Sequence, residues 1–343
     1  MFQHLRRTAL DAARWDELIT QAPNGLIYAL SWYLDIVSPD WEALVRVEDG
    51  RYVAGLPLPV RRKFGLRYLQ QPPFAQQLGL FARQPPTPAD WQQVGQQLRR
   101  FRFITRYAFN TGNSDQPGLD QLGLPGAWSL TYHLPLARPY EVLRAGYRPT
   151  RRRRTRQAEQ SAPRPELTTD VEALARLFAD NTAGRIYGVG GESYEYPLLR
   201  ALHAAAAAQA GSLPELGAIW QVRAAGTGLG AEPGAPGAML LLWRFRGQLT
   251  YLFGSSSPAG RAQHAATALL DGIIRHYAGQ PDLTLDFEAP PVPDLVRFYA
   301  SFGAVPVRFW TVTLEGLPWP LRQLRAARAA LYRRLRPRPP GQQ

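Results

Sequence analysis

The sequence predicts an α/β protein, with an α+β arrangement in which each of two domains has a central mixed, largely antiparallel sheet flanked by helices. The chain has 343 residues, which exceeds the usual size of a single domain. Stretches with the 3.6-residue period of a buried helix face alternate with short runs of alternating apolar and polar residues. Hydrophobic residues make up 45% and charged residues 20%, proportions typical of globular proteins.

The first half is predicted to contain two helices and several strands. Apolar residues at helical spacing indicate helices over 10–23 and 88–101. Two alternating runs are joined by Asp49 and Gly50, a residue pair typical of a tight hairpin turn. The strands are predicted within 42–60, 102–110 and 128–136.

The second half is predicted to begin with two helices, over 168–182 and 196–210. Thr169 and Glu172 have the spacing of a capping box at the start of the first. The glycine-rich segment 225–237 is predicted to be a hairpin loop, because no helix follows it as a dinucleotide-binding loop requires. The remaining elements are predicted as strands 216–224, 237–246 and 248–254, helix 261–278, strand 283–288, helix 294–302 and strand 306–314.

Two arginine clusters carry the net charge of +13. Seven arginines lie between Arg144 and Arg156 and seven between Arg322 and Arg338, with no acid in either cluster. Such clusters attract phosphate groups or an anionic membrane, and the alternative is a solvated linker and tail. The predicted segments are an N-terminal domain over 1–143, an arginine-rich linker over 144–167, a C-terminal domain over 168–316, and a basic C-terminal helix and tail over 317–343.

Residue content and spacing exclude several chemistries. The chain has no cysteine, which excludes disulfides, thiolate nucleophiles and cysteine-ligated metals. Its five histidines lack metal-site spacing, so no metal is expected, and neither a G-x-S-x-G elbow nor a P-loop occurs. No apolar run is long enough to cross a bilayer and no secretion signal is recognised, so we expect a cytoplasmic location.

The order of elements in the second half resembles the GNAT acyltransferase fold, and the whole chain is similar to FemABX-like proteins, which have two GNAT domains in tandem. The motifs that carry the resemblance are "PAGRA" (258–262), "LDFE" (285–288), "VRFYASFGA" (296–304) and the arginine-rich "RRRRTRQA" (151–158). The resemblance implies two tandem GNAT-like domains, the first degenerate and on the acceptor side. It also implies an acyltransferase that forms an amide on an amine-bearing acceptor.

The resemblance further implies a site for the acyl donor. The family's phosphate loop reads Gln/Arg-x-x-Gly-x-Gly/Ala, and the segment from Ser257 to Ala262 fits except at its first position. This departure leaves two donors open, acyl-CoA such as acetyl-CoA, or aminoacyl-tRNA as in FemABX-like proteins. The alternatives are that Ser257 only caps the helix and that His264 has no role. The candidate donor-binding residues are Phe253, Gly254, Ser255, Ser257, Gly260, Arg261, Ala262 and His264.

Two carboxylates and two tyrosines are candidates for proton transfer. Asp286 and Glu288 alternate on a predicted strand and would share one face. A carboxylate there can take the proton of an amine or bind the acceptor, or it can simply neutralise arginines. Tyr251 and Tyr299 can protonate a leaving group, and the alternative is aromatic packing.

Basic residues supply candidate contacts for phosphate-bearing partners. We expect the acceptor to be an amine, such as a phosphate-linked cell-wall precursor, and tRNA or an anionic membrane surface as further partners. The alternative function is a non-catalytic protein that binds RNA or an anionic membrane on a degenerate GNAT scaffold. The candidate substrate-binding residues are Arg61, Arg62, Lys63, Arg151, Arg152, Arg153 and Arg154.

Overall fold

The computed structural model describes residues 1–63, 65–183, 195–209, 216–225 and 234–316, together with Gln323 and Ala327. Apart from those two residues, the predicted basic C-terminal helix and tail lie outside the described residues, as does most of the glycine-rich loop. The chain divides into unit 1, which is Met1–Trp128 with the chain from Phe309, and unit 2, which is Ser129–Arg308. The domain boundaries expected from sequence stay a prediction.

Helices and strands alternate along the described chain. The helices are α1 (Ala12–Gln21), α2 (Ser31–Val37), α3 (Pro88–Leu98), α4 (Thr111–Ser114), α5 (Tyr140–Ala145), α6 (Pro149–Ser161), α7 (Val171–Asn181), α8 (Glu195–Gln209), α9 (Pro258–Ala262), α10 (Ala265–Tyr277) and α11 (Pro293–Ala300). The strands are β1 (Gln3–Arg6), β2 (Glu42–Glu48), β3 (Arg51–Leu58), β4 (Val60–Lys63), β5 (Leu66–Gln70), β6 (Phe81–Ala82), β7 (Phe103–Ala108), β8 (Gly126–Pro135), β9 (Glu166–Thr168), β10 (Ala218–Arg223), β11 (Pro236–Phe245), β12 (Gln248–Ser256), β13 (Thr284–Asp286) and β14 (Val305–Glu315).

Unit 1 contains two groups of paired strands. One follows the order β1-β2-β3-β6, and its β2–β3 hairpin turns at Asp49 and Gly50, both with positive φ as the sequence predicts. In the other, β5 pairs antiparallel with β4 and parallel with β7, which pairs antiparallel with β14. The predicted helices are confirmed as α1 and α3, which bury Trp15 and Trp91 completely.

Unit 2 is built on a mixed sheet in the order β8-β13-β12-β11-β10-β9. Its neighbouring strands pair antiparallel except β12 and β13, which are parallel. The apolar face of α10, formed by Leu269, Leu270, Ile273 and Ile274, is buried in the core of this unit, and α10 packs against β10, β11 and α6. The mixed sheet with flanking helices confirms the predicted fold class.

The arginine-rich segment contains the end of α5 and all of α6, and the neighbouring Tyr140, Leu143 and Tyr147 are buried in the core. Two local expectations in unit 2 are wrong. The helix predicted over 261–278 is split into α9 and α10 by His264, which has a φ of 56°. The cap of α7 is Asp170 rather than Thr169, since the Asp170 side chain accepts from the Ala173 amide.

The strand predicted over 283–288 ends early. β13 stops at Asp286, and Glu288 follows with a φ of 43°. The Glu288 amide donates to Asp286 Oδ1 at 2.9 Å, a local side-chain-to-backbone bond that competes with continued strand pairing. The two carboxylates therefore do not alternate along one strand, which corrects the expectation that they share a face for that reason.

Candidate active site

Strand β13 ends before its neighbour β12 in the middle of the unit 2 sheet. They pair in parallel only from Gln248 and Thr284 to Thr250 and Asp286, and β12 then continues to Ser256 without β13. On its other edge, β12 carries a bulge where Phe253 pairs with Leu241 and Tyr251 with Leu242. The early end of β13 leaves one backbone edge of β12 without a β13 partner, where a donor carbonyl can meet main-chain amides.

The candidate donor-binding residues on β12 are held by neighbouring side chains. Phe253 stacks on Phe178 of α7 with ring centroids 4.1 Å apart. The Ser255 hydroxyl donates to the Leu177 carbonyl oxygen at 3.1 Å. A Cβ on Gly254 would lie 2.5 Å from the Tyr251 hydroxyl oxygen, so the glycine makes room for that tyrosine.

The loop after β12 is closed by its own hydrogen bonds. Ser257 caps α9, because its hydroxyl oxygen accepts from the Gly260 amide at 3.0 Å. Gly260 is buried, and a Cβ there would lie 1.9 Å from the carbonyl oxygen of Gly237 on β11. Arg261 Nη1 donates to the Ser256 carbonyl at 2.6 Å, and Ala262 ends α9. The Gly260 amide is therefore already occupied, and the glycine serves the close approach of α9 to β11.

His264 occupies the N-cap position of α10 without making a side-chain cap. Its pKa is lowered by partial burial and by the positive charges of Arg154 and Arg151. The first arginine cluster and the start of α10 therefore belong to one electrostatic environment within unit 2.

The four consecutive arginines of α6 have different environments. Arg151 is buried, and it donates from Nε to Ser301 Oγ at 2.8 Å and from Nη1 to Thr267 Oγ1 at 2.5 Å. Burial, with the charge of Arg154, lowers the pKa of its guanidinium to about 10. Arg152 donates to main-chain carbonyls next to α5, whereas Arg153 and Arg154 are exposed.

Asp286 is buried, with 2% of its surface exposed. Its Oδ1 accepts from Thr131 Oγ1 at 2.5 Å and its Oδ2 from Gln248 Nε2 at 3.2 Å. The Nε2 atom of His133, its antiparallel register partner on β8, lies 3.3 Å from Oδ2. Asp286 is thus held on several sides, and His133 is the partially exposed member of the pair, with 18% of its side chain accessible.

Tyr251 and Tyr299 form one aromatic cluster. Their ring centroids are 5.9 Å apart, edge to face, and their hydroxyl groups are hydrogen-bonded to each other. Tyr299 also stacks on Phe287 at 4.8 Å. Burial raises the pKa of Tyr251 to about 12, so its hydroxyl is protonated at neutral pH.

Arg61, Arg62 and Lys63 lie on β4 in unit 1. Arg61 Nη2 donates to the Val37 carbonyl at 3.4 Å, and Arg62 Nη2 lies 3.4 Å from Glu42 Oε1. The head groups of both arginines thus have contacts within unit 1.

A cavity of about 590 Å³ lies elsewhere in unit 2, lined by residues of α6, α10 and Trp220 on β10. None of the site residues predicted from sequence lines this cavity.

Sequence reasoning missed His133 as a candidate functional residue. It considered histidines only for metal spacing, and a cross-strand partner 153 positions away is set by sheet register rather than by local pattern. The available signal was that His133 continues the alternation of Ser129 and Thr131 on the polar face of the strand predicted over 128–136.

Comparison with known proteins finds one family match, within the middle and later parts of the chain. Residues 145–291 match the acetyltransferase (GNAT) domain family, while no curated protein sequence matches the chain. The fold is similar to the crystal structure of FemX, with a TM-score of 0.62 and 14% identity over 94% of this chain and 99% of that one. It is also similar to a conserved protein of unknown function from Bacteroides thetaiotaomicron, with a TM-score of 0.54 and 11% identity over 91% and 99% of the two chains. At these identities the structural likeness shows the fold.

Proposed function

We propose that this chain, whose residues 145–291 match the acetyltransferase (GNAT) domain family, is an N-acyltransferase that moves an acyl group from a phosphate-bearing donor to an amine. The observation that carries the proposal is that β13 ends at Asp286, opposite Thr250, while β12 continues to Ser256. It leaves a strand edge whose amides can polarise a donor carbonyl. Tyr251 lies on β12 and contacts Tyr299 of α11, while the buried Asp286 ends β13 opposite Thr250.

Aminoacyl-tRNA is the donor that we favour over acyl-CoA. The Gly260 amide, which the phosphate loop of a CoA-dependent enzyme would offer to pyrophosphate, is hydrogen-bonded to Ser257 instead. The exposed face of α6 presents Arg153 and Arg154, and exposed arginines suit the repeated phosphates of a nucleic-acid backbone. The acceptor is an amine, and Arg61 to Lys63 on β4 are proposed as contacts for a phosphate group that it carries.

The proposed reaction is one direct acyl transfer. A neutral amine attacks the donor carbonyl, so that a C–N bond forms and the bond from the acyl carbon to the donor's oxygen or sulfur breaks. The amine nitrogen loses one proton to a base, and the leaving oxygen or sulfur gains one. The Tyr251 and Tyr299 pair is proposed as the proton source, because the pKa of Tyr251, at about 12, keeps its proton available at neutral pH.

The test offers the purified full-length chain two donors in separate reactions. Retention of acetyl-CoA and of tRNA charged with labelled amino acids is measured by filter binding, and transfer is followed with lysine-containing peptides as the amine. Because the chain has no cysteine, a thiol reagent reports only the CoA released. We expect charged tRNA to be retained and its amino acid to appear on the amine.

Matched variants identify the contact surface. The double variant Arg153→Ala/Arg154→Ala should retain less tRNA. Its plot of log binding constant against log salt concentration should have a slope smaller in magnitude by about one to two. Arg200→Ala is the control, because Arg200 is equally charged and lies on α8 paired with Glu172. Retention of neither donor would refute the proposal. Retention of tRNA without transfer would favour the non-catalytic alternative, and transfer from acetyl-CoA alone would overturn the choice of donor.

A further inference from the structure

We infer that His133 is the general base of the proposed acyl transfer and that Asp286 is its positioning residue. The inference rests on the proposed function, and it moves the proton-accepting role from the carboxylate to the imidazole beside it. Both residues belong to unit 2, and they are register partners on antiparallel strands β8 and β13. Cross-strand partners project from the same face of a sheet, so the two side chains meet there.

The environment of Asp286 makes it an orienting group rather than a contact for an acceptor. Only 2% of its surface is exposed, and its oxygens accept from the Thr131 hydroxyl, the Gln248 amide and the Glu288 main-chain amide. An acceptor amine cannot approach a carboxylate that is covered and bonded in this way. The remaining lone pair of Oδ2 points toward His133, which is therefore the group that this carboxylate can orient.

His133 lies beside a carboxylate that could hold it as a base. Nε2 is buried and lies 3.3 Å from Asp286 Oδ2, but its alignment gives no hydrogen bond to Asp286 or to any other group among the described residues. Such contacts are commonly long in structures without substrate and tighten in the complex. No protein partner of Nδ1 occurs among the described residues, and part of the ring is exposed. A proton on Nε2, directed at Asp286, leaves the Nδ1 lone pair for the acceptor.

His133 also lies where the proposed reaction takes place. Asp286 is the last residue of β13 and pairs with Thr250 of β12, so the histidine–carboxylate pair lies where β13 ends and β12 continues without it. In the step, the amine nitrogen forms a C–N bond with the acyl carbon and gives its proton to Nδ1. The acyl–oxygen or acyl–sulfur bond of the donor breaks, and the leaving atom takes a proton from the tyrosine pair, which His133 then restores through solvent.

Kinetic measurements test the role of each residue. His133→Gln keeps a polar group of similar size but removes the base, and we expect kcat to fall about 100-fold or more with little change in donor KM. Asp286→Asn keeps the shape and we expect a fall of at least about tenfold. Wild-type kcat should rise with pH through one ionisation that is absent in His133→Gln. Asp286 is the ionisable group that faces His133 from β13, and its neighbours Thr131 and Gln248 are neutral.

Nitrogen NMR of the five histidines provides a readout that does not depend on turnover. We expect His133 to carry its proton on Nε2 in the wild type and to lose this preference in Asp286→Asn, while His276→Gln, on α10, leaves both the tautomer and kcat unchanged. Near-normal kcat and an unchanged pH profile in His133→Gln would overturn the inference while leaving the proposed function intact. An Nδ1-protonated His133 would also overturn it. If the wild type transfers nothing from either donor, the proposed function fails, and the tautomer experiment still decides whether the pair exists.

Discussion

Arg151 is expected to tolerate an apolar substitution better than a lysine. Its guanidinium is buried without a carboxylate partner among the described residues, and its ionised form is disfavoured there because burial lowers its pKa to about 10. That lowering corresponds to about 3 kcal/mol. On the favourable side stand two hydrogen bonds, worth about 2 kcal/mol each, and the rings of Phe298 and Phe302 at 4.3 and 4.5 Å, worth about 1 kcal/mol each.

The hydrogen bonds and ring contacts together outweigh the cost of burying the charge, so the arginine side chain stabilises the fold by about 3 kcal/mol. In Arg151→Met the buried thioether chain recovers about 2 kcal/mol through apolar burial, so the net loss should be about 1 kcal/mol. Arg151→Lys keeps a buried charge, loses the planar stacking on both rings and cannot reach both hydroxyl groups, so we expect a loss of about 2–4 kcal/mol.

Equilibrium urea unfolding of the wild type, Arg151→Met and Arg151→Lys measures the differences in their free energies of unfolding. The three transitions must have equal slopes for the comparison to hold. If the lysine variant proves as stable as the methionine variant or more so, the assignment of Arg151 as a buried, unneutralised cation is refuted.

Two further substitutions test packing and buried polar groups, both by urea unfolding. Gly260→Ala forces a Cβ to within 1.9 Å of a main-chain carbonyl oxygen, so we expect a loss of at least about 2 kcal/mol; a loss below about 0.5 kcal/mol would contradict the close approach. Asp271→Leu removes the acceptor of two buried tyrosine hydroxyls and should cost about 2–5 kcal/mol, whereas Asp271→Asn keeps an acceptor. Because burial raises the pKa of Asp271 above its ordinary 3.8, the wild type loses stability as pH rises through that raised value. The free energy of unfolding of Asp271→Asn should therefore be closer to, or further above, that of the wild type at pH 7 than at about pH 3.5. The opposite trend would contradict the direction of the pKa shift.

Periodicity and turn chemistry were sufficient to predict most of the elements that position the site. The hairpin at Asp49 and Gly50 follows from the turn itself, and the apolar face of α10 follows from spacing at i, i+3 and i+4. These are local patterns, and local patterns decide whether a helix or strand forms. The mixed sheet of each half could be predicted because the order of its elements is a family pattern.

The features that sequence did not predict depend on long-range geometry. Seven arginines look alike in the sequence, yet Arg151 is buried and Arg153 is exposed, because only one of them faces α10 and α11. The pairing of His133 with Asp286 depends on which strands become neighbours and in what register. β13 ends at Asp286, where the Asp286 side chain accepts a hydrogen bond from the Glu288 amide.

The left-handed backbone at His264 constrains how this protein can diverge over evolution. A residue with a φ of 56° between two helices penalises most side chains by about 1–2 kcal/mol, and glycine and asparagine least. Descendants that keep the two-helix arrangement should therefore substitute glycine, asparagine or aspartate at this position and avoid valine, isoleucine and threonine. In lineages where a β-branched residue becomes fixed there, α9 and α10 should have merged or separated further, and the surface beside Arg154 would change shape with them.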